Sequence, residues 1–391
     1  MLMTKKIKLN PTPEQEILFR KSAGVARWSY NYLIAERERI YKAYLDNDKQ
    51  GEKTISENSV RKQITVLKKT THTWLKEVGC NVIKQAVKDA DSAYKRFFTA
   101  GNGRPKFKSK RKSKLSFYVN YESLSWKNGG FRGEKIGFVK TSEPLPRIQK
   151  GQHYSNPRIT YDGKYWYLSV GYEVIDKQVS LTDESIGIDL GVKYLAVCSN
   201  GKKYKNINKT KRVKQLKRKL RKAQRRLSRK MEHHIIGYDS KRKPIYDRPL
   251  YDCRNFQKQK KEIQLLHRKL TNIRNNYLHQ TTSEIVKTKP SRIIMEDLNI
   301  TGMMKNSHLA KSIAEEKLYE FIRQMKYKCQ LYGIEFLQVD KFYPSSKMCS
   351  GCGNIKRNLK LSDRIYHCDC CGLTIDRDYN ASLNLANYQF V

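Results

Sequence analysis

Two kinds of metal-ligating residue stand out in the sequence: thiolates crowded into one stretch, and carboxylates scattered over nearly two hundred residues. Cys349-Ser-Gly-Cys352 is followed, after fifteen intervening residues, by Cys368-Asp-Cys-Cys371. Paired CxxC knuckles at this spacing read as a structural zinc site, with four thiolates each about 2.3 Å from a tetrahedral Zn²⁺. Gly351, Gly353 and Gly372 permit the tight turns that such knuckles need. Cys370 lies between the ligands of its knuckle and is expected to point away; a register in which it replaces Cys371 is the lesser alternative. Redox pairs normally occur singly, so that reading is disfavoured. Four closed thiolates leave no open coordination position, and the zinc is therefore expected to hold a loop in place and do no chemistry.

The carboxylates pose a different problem. Within Gly187-Ile-Asp-Leu-Gly191 an acid interrupts an apolar strand, and burying it costs several kcal/mol unless a cation or hydrogen bonds compensate. Glu296 repeats the pattern at the end of Ile293-Ile-Met-Glu296, and Asp378 precedes a C-terminal helical segment. Each alone is as readily a strand-end acid or a helix cap. Together they meet a chemical requirement, because phosphodiester hydrolysis by two ions about 3.5–4 Å apart needs several hard oxygen ligands converging on one point, which suits Mg²⁺. Asp376 and Asp297 are the local competitors, each more readily solvated or structural.

The elements that must position these residues follow from periodicity. Lys5 to Leu9 alternates like a strand, and Thr12-Pro13-Glu14-Gln15 carries a cap, a first-turn proline and a capping-box glutamine. Helical spacing then runs through 17–45, 59–69 and 74–100, until Gly101-Asn102-Gly103 breaks it. From Lys114 the period drops to two, and Asp162-Gly163 signals a hairpin inside 158–174. These strands, with the N-terminal one, predict a small β-barrel with the helices inserted in its first connection; a flat sheet is the second choice.

Beyond residue 183 the pattern is mixed. Residues 186–197 read as one apolar strand ending at Ser199-Asn200-Gly201, and 292–298 as another. Between them, Val213, Leu216, Leu220, Ala223 and Leu227, and then Ile263, Leu266, Leu270, Ile273 and Tyr277, form two seams expected to zip into an antiparallel helical hairpin. A helix at 318–332, a strand at 334–339 and a short helix at 380–388 complete the chain.

Composition names the partner class. The 391 residues hold 80 Lys and Arg against 37 Asp and Glu, a formal charge of +43. Solubility alone needs a net charge of only about 2–8, so the excess calls for a polyanion. No stretch approaches the roughly 18–20 apolar residues of a membrane span, and the first ten residues lack a signal-peptide core. A cytoplasmic protein is expected, where nine cysteines do not imply disulfides. The run from Lys209 to Lys230 carries thirteen Lys or Arg in twenty-two residues and no acid, which favours RNA or DNA contact over mere solvation. A second basic segment follows Pro105. Asn81 and Gln85, four apart on one helix, are candidate readers of base edges.

Read in order, KLNPTPEQ, RPKFKSK, GIDLGVKYLAV, AQRRLSRK, IIMEDLNI, SSKMCSGCG and DRDYNASLNLA resemble the TnpB family, transposon-encoded nucleases similar to the type V CRISPR effectors. The resemblance spans nearly the whole chain. It implies a multidomain α+β architecture: a wedge-type β-barrel (1–11 and 106–180), a helical recognition insertion (12–105), an RNase H-like RuvC domain (181–339 and 376–391) and a zinc-binding insertion (340–375). It implies Asp189, Glu296 and Asp378 as the three acids holding Mg²⁺ or Mn²⁺, with Asp378 preferred to Asp376 because it directly precedes Tyr379-Asn380-Ala381. Arg364 resembles the family's basic residue that helps place the substrate strand. By the same likeness the protein would bind a guide RNA, one protein per RNA, and cut double-stranded DNA beside a short flanking motif. A guide-directed repressor descended from a nuclease, or a transposase, are the alternatives.

Overall fold

The opening alternation becomes β1 (Leu2–Asn10), which buries Ile7 and Leu9. The Thr12 side chain then accepts from Gln15 N–H while Gln15 reaches back to the Thr12 backbone, so the capping box forms and starts α1 (Pro13–Asp46). The computed structural model describes residues 1–125, 129–175, 179–360 and 362–389. It divides the chain into two units, Met1–Val174 and Ile175–Val391.

In the first unit α1 is followed by α2 (Glu57–Lys69), α3 (Cys80–Thr99), β2 (Ser116–Tyr118), β3 (Leu124–Ser125), β4 (Gly130–Gly133), β5 (Gly137–Thr141), β6 (Ser155–Tyr161) and β7 (Trp166–Glu173). Among the described residues the strands join in the order β2-β6-β7-β1-β5-β4-β3. Asp162 and Gly163 turn β6 into β7: the Asp162 carboxylate accepts from the N–H groups of Lys164 and Tyr165, and Gly163 takes a φ of 98°. The sheet is a half-barrel where the alternating segments predicted a small barrel. Its end strands, β2 and β3, are three and two residues long and pair only inward. Phe19, Phe117 and Trp166, all fully buried, pack sheet against helices, with ring centroids 5.0–5.6 Å apart.

The second unit contains β8 (Thr182–Leu190), β9 (Tyr194–Cys198), β10 (Lys203–Lys205), α4 (Lys211–Glu232), β11 (Ile235–Tyr238), β12 (Pro244–Tyr246), α5 (Arg254–Lys287), β13 (Pro290–Glu296), α6 (Ile300–Lys305), α7 (Ser307–Glu316), α8 (Leu318–Tyr332), β14 (Glu335–Val339), β15 (Ile365–His367), β16 (Thr374–Asp376) and α9 (Arg377–Ala386). Its main sheet has the order β10-β9-β8-β13-β14, with β8, β13 and β14 parallel and β9 and β10 antiparallel. The apolar run 186–197 is thus two strands: the chain turns at residues 191–193, where Gly191 N–H bonds back to Leu195 O, and a second turn with Gly201 at a φ of 83° leads into β10. Val213, Leu216 and Leu270 close the seam between α4 and α5, with Leu220, Leu266 and Ile273 against it. A two-stranded hairpin, β11 and β12, joins these helices. Among the described residues no helix is long and apolar enough to cross a membrane.

Candidate active site and thiolate centre

Parallel pairing sets the first two acids side by side. Ile293 lies opposite Ile186, Ile294 opposite Gly187 and Met295 opposite Ile188, so one step further Asp189 and Glu296 stand at the carboxyl ends of neighbouring strands. Carboxyl ends of parallel strands are where open α/β sheets build their sites, because the apolar run that anchors each strand stops there.

The third acid arrives on a helix that lies directly on β8. A Cβ at Gly187 would sit 2.0 Å from Ser382 O and 2.4 Å from Ala386 N, so only glycine allows α9 this close. Ser185 Oγ donates to Ala386 O at 3.0 Å from the same strand. Asp378, Ser382 and Leu385 share that helix face at steps of four and three, which turns Asp378 toward β8. Asp376, not Asp378, is the cap: its carboxylate accepts from Tyr379 N–H at 3.1 Å and pairs with Lys203 at 3.5 Å. The helix therefore starts three residues earlier than the expected 380, and Asp378 lies in its first turn.

Asp189 feels the charge of both other acids. Asp189 holds its proton well above the ordinary carboxylate range, chiefly because its carboxyl is desolvated, then because the charges of Asp378 and Glu296 oppose its ionisation; Arg377 acts the other way and Asp376 adds to the rise. Burial also raises Glu296. Asp297, by contrast, is exposed and meets Gln338. Arg364 is exposed immediately before β15, and its carbonyl accepts Arg377 N–H at 2.9 Å. A buried carboxyl whose ionisation is opposed by two neighbouring acids belongs to a donor set suited to a divalent cation, which would relieve that opposition.

The four cysteines picked out by spacing meet at one point, their Sγ atoms all within 4.8 Å of each other. Cys349 and Cys371 lie 3.6 Å apart, as do Cys352 and Cys368, close to the roughly 3.8 Å between ligands of a tetrahedron with 2.3 Å bonds. Cys370 is exposed and outside the group. Hydrogen bonding from Cys371 N–H draws the Cys368 thiol down to about 6, the N–H of Cys370 adding to it against the effect of burial. The donors and geometry fit zinc.

Two asparagines tie the centres together, and the sequence reading gave them no role. Asn380, fully buried, donates to Met348 O at 2.7 Å and accepts from Ser350 N–H at 3.0 Å. Asn384, also buried, donates to Ser345 O at 2.7 Å and Met348 O at 2.6 Å. Their spacing of four, on a helix carrying a candidate acid, is the signal that could have exposed them.

Each unit has a groove lined in part by basic side chains. The α4 face opposite its apolar seam forms a groove lined by Arg221, Arg225 and Arg229. In the first unit, a cleft is lined by Gln85, Asp89, Lys108, Tyr118 and Arg158. There Arg158 makes two bonds of 2.7 Å to Asp89, which also accepts from Gln85, and the Lys108 amine lies 3.5 Å over the Tyr30 ring.

Three family models match the chain: "Helix-turn-helix domain" over 1–45, "Probable transposase" over 168–307 and "Cas12f1-like, TNB domain" over 319–385. Residues 1–45 in fact hold one strand and most of one long helix. A Streptomyces pristinaespiralis protein named "Putative RNA-guided DNA endonuclease" is 28% identical over 97% of this chain and 87% of its own length. An Acanthamoeba polyphaga mimivirus protein, "TnpB-like protein L79", is 24% identical over 98% of this chain and 72% of its own. The Cas12f1 chain of a complex with guide RNA and target DNA shares the fold, with a TM-score of 0.54 over 99% of both chains at 15% identity. From β1 to α9, then, the chain resembles the TnpB family and shares its multidomain α+β fold with Cas12f.

Proposed function

We propose that the protein is an RNA-guided, divalent-metal-dependent endonuclease that cleaves double-stranded DNA next to a short flanking motif. What supports this reading is that Asp189 and Glu296 stand at the ends of paired parallel strands, that α9, which bears Asp378, is seated against Gly187, and that Asp189 feels the charge of both other acids. The sheet order, three parallel and two antiparallel strands with acids at the parallel ends, supports an RNase H-like RuvC domain over 181–339 and 376–391. The intervening 340–375 would be the zinc-binding insertion, 1–11 with 106–180 the wedge, and 12–105 the recognition insertion.

Asp189, Glu296 and Asp378 would hold Mg²⁺ or Mn²⁺, which in a paired site activates the attacking water and stabilises the leaving 3′ oxygen. Because burial and the neighbouring acids favour its protonated form, Asp189 would bind proton and cation in competition, so cation uptake would strengthen as pH rises. Arg364 is suited to hold the strand to be cut, being exposed beside the helix that bears Asp378. Base pairing with the RNA would select the target while the protein reads the flanking motif and the shape of the heteroduplex. The basic α4 face and the cleft between α1, α3 and the half-barrel offer phosphate and base contacts for these two partners. A cytoplasmic setting suits thiolate-bound zinc.

Purified protein with its guide RNA should cut matched duplex DNA only with Mg²⁺ or Mn²⁺ present, and Asp189→Ala should bind the guide and fail to cut. Cleavage by that variant at the wild-type rate would overturn the assignment. The transposase reading draws on the family model's own description over 168–307. It requires strand transfer of transposon-end DNA, which the nuclease reading does not produce.

A further inference from the structure

We infer that Asn380 is a positioning residue that makes the cation affinity of the carboxylate centre depend on the thiolate centre. The inference rests on the nuclease reading only for the meaning of the carboxylates. Helix α9 has two working faces. One lies on β8, through Ser382, Leu385 and Ala386 against Gly187, and carries Asp378. The other holds the first zinc knuckle.

Asn380 bridges the residues on either side of Cys349: its amide donates to the carbonyl of Met348, and its oxygen accepts the N–H of Ser350. The cysteine is thus bracketed by one buried side chain. Asn384, one turn on, adds two more bonds to the same segment through Ser345 and Met348. The knuckle is closed in turn by Cys349 N–H to Asn354 O and Gly353 N–H to Cys349 O, both at 2.9 Å. A zinc bond to the Cys349 thiolate would fix Cys349 and with it Met348 and Ser350, and through Asn380 these would fix the first helical turn, which carries Asp378.

Such a chain works because each link is short and the amide and the cysteine it brackets are both buried. A primary amide uses both donor and acceptor in fixed directions, so it transmits position and not merely attraction. Ligands to a metal commonly depend on partners of this kind, and losing one costs about 10–100-fold in affinity or activity. Here the partner of the carboxylate centre is itself organised by a second metal.

The test uses full-length protein with its guide RNA. Wild type, Asn380→Ala and Asn380→Asp are compared by Mn²⁺ binding (electron paramagnetic resonance of free ion), by the Mn²⁺ concentration giving half-maximal cleavage, and by zinc content. Asn380→Asp keeps the acceptor for Ser350 and loses the donor to Met348. Both variants are expected to bind Mn²⁺ about tenfold more weakly, with guide affinity unchanged. Wild type stripped of zinc, with the chelator dialysed away, should show the same loss, so the experiment stands even if a variant does not fold. Stripping zinc from Asn380→Ala should add no further loss. Mn²⁺ binding unchanged in stripped wild type would overturn the inference, as would effects that simply add. Weakened Mn²⁺ binding in a protein that never cuts DNA would sustain this inference and sink the nuclease reading.

Discussion

The thiolate cluster and the candidate carboxylate site adjoin two faces of one short helix, yet they are built in opposite ways. All four sulfurs come from a stretch whose outer ligands, Cys349 and Cys371, are 22 residues apart. Closing so short a loop is cheap in entropy, and glycines with positive φ at 353 and 372 make the turns locally. The three carboxylates come from β8, β13 and α9, which only the packed sheet can gather. A site folded from neighbours can be closed and inert; one gathered from distant segments inherits the rigidity of a whole core, which transition-state chemistry needs.

Perturbation should separate the two. The largest effect is expected for Asp189→Asn, which removes an ion ligand and keeps the side chain's shape: cleavage should fall about 10³-fold or more, the scale of several kcal/mol supplied by metal chemistry. Guide affinity and zinc content should not move, and loss of zinc from this variant would break the separation of the centres. Cys349→Ser comes next. Zinc should be lost and the 345–375 stretch loosened, since structural zinc supplies much of the folding energy of small modules. Cleavage should drop about 10–100-fold through α9, read by single-turnover assays alongside zinc content.

Gly187→Ala tests the other face of the same helix. Its methyl would meet backbone atoms that cannot swing away, so α9 must shift, at a cost of about 1–3 kcal/mol seen in thermal unfolding. Zinc should be retained. A variant as stable and active as wild type would show that Asp378 is held by something other than this contact.

A subtler difference is expected in pH dependence. Asp189 binds its proton more tightly folded than unfolded, so in chelator its contribution favours the folded state at low pH and is lost as pH rises from about 3.8 through its raised folded value. Asp189→Asn should therefore gain stability over metal-free wild type as pH increases, and Mg²⁺ should close the gap; urea unfolding at several pH values reads this. The smallest change is expected for Arg225→Ala with Arg229→Ala on α4: a few-fold weaker guide binding and a salt slope reduced by up to about 1–2.

The contrast also explains what the sequence disclosed. Knuckle spacing, the Thr12 capping box, the Asp162-Gly163 turn and the α4–α5 seam are local patterns, and each corresponds to an element in the structure. The acids were visible as polar breaks in apolar runs. Their relative placement was not, since it depends on the parallel register of β8 with β13 and on a helix landing at Gly187. Buried polar pairings were silent for the same reason. Lys328 donates to Thr282, Ser283 and the His279 carbonyl, and burial brings it down to about 8, but nothing near residue 328 announces partners more than forty positions earlier. The turn at 191–193 was hidden because both strands it joins are apolar.

Helix α9 also sets an order of events during synthesis. The strands bearing Asp189 and Glu296 leave the ribosome well before residues 377–386 have been translated. Until that segment emerges and docks on β8, a nascent chain carries two of the three candidate acids. A nuclease of the proposed kind, assembled this way, would stay harmless to the DNA around it throughout its own manufacture.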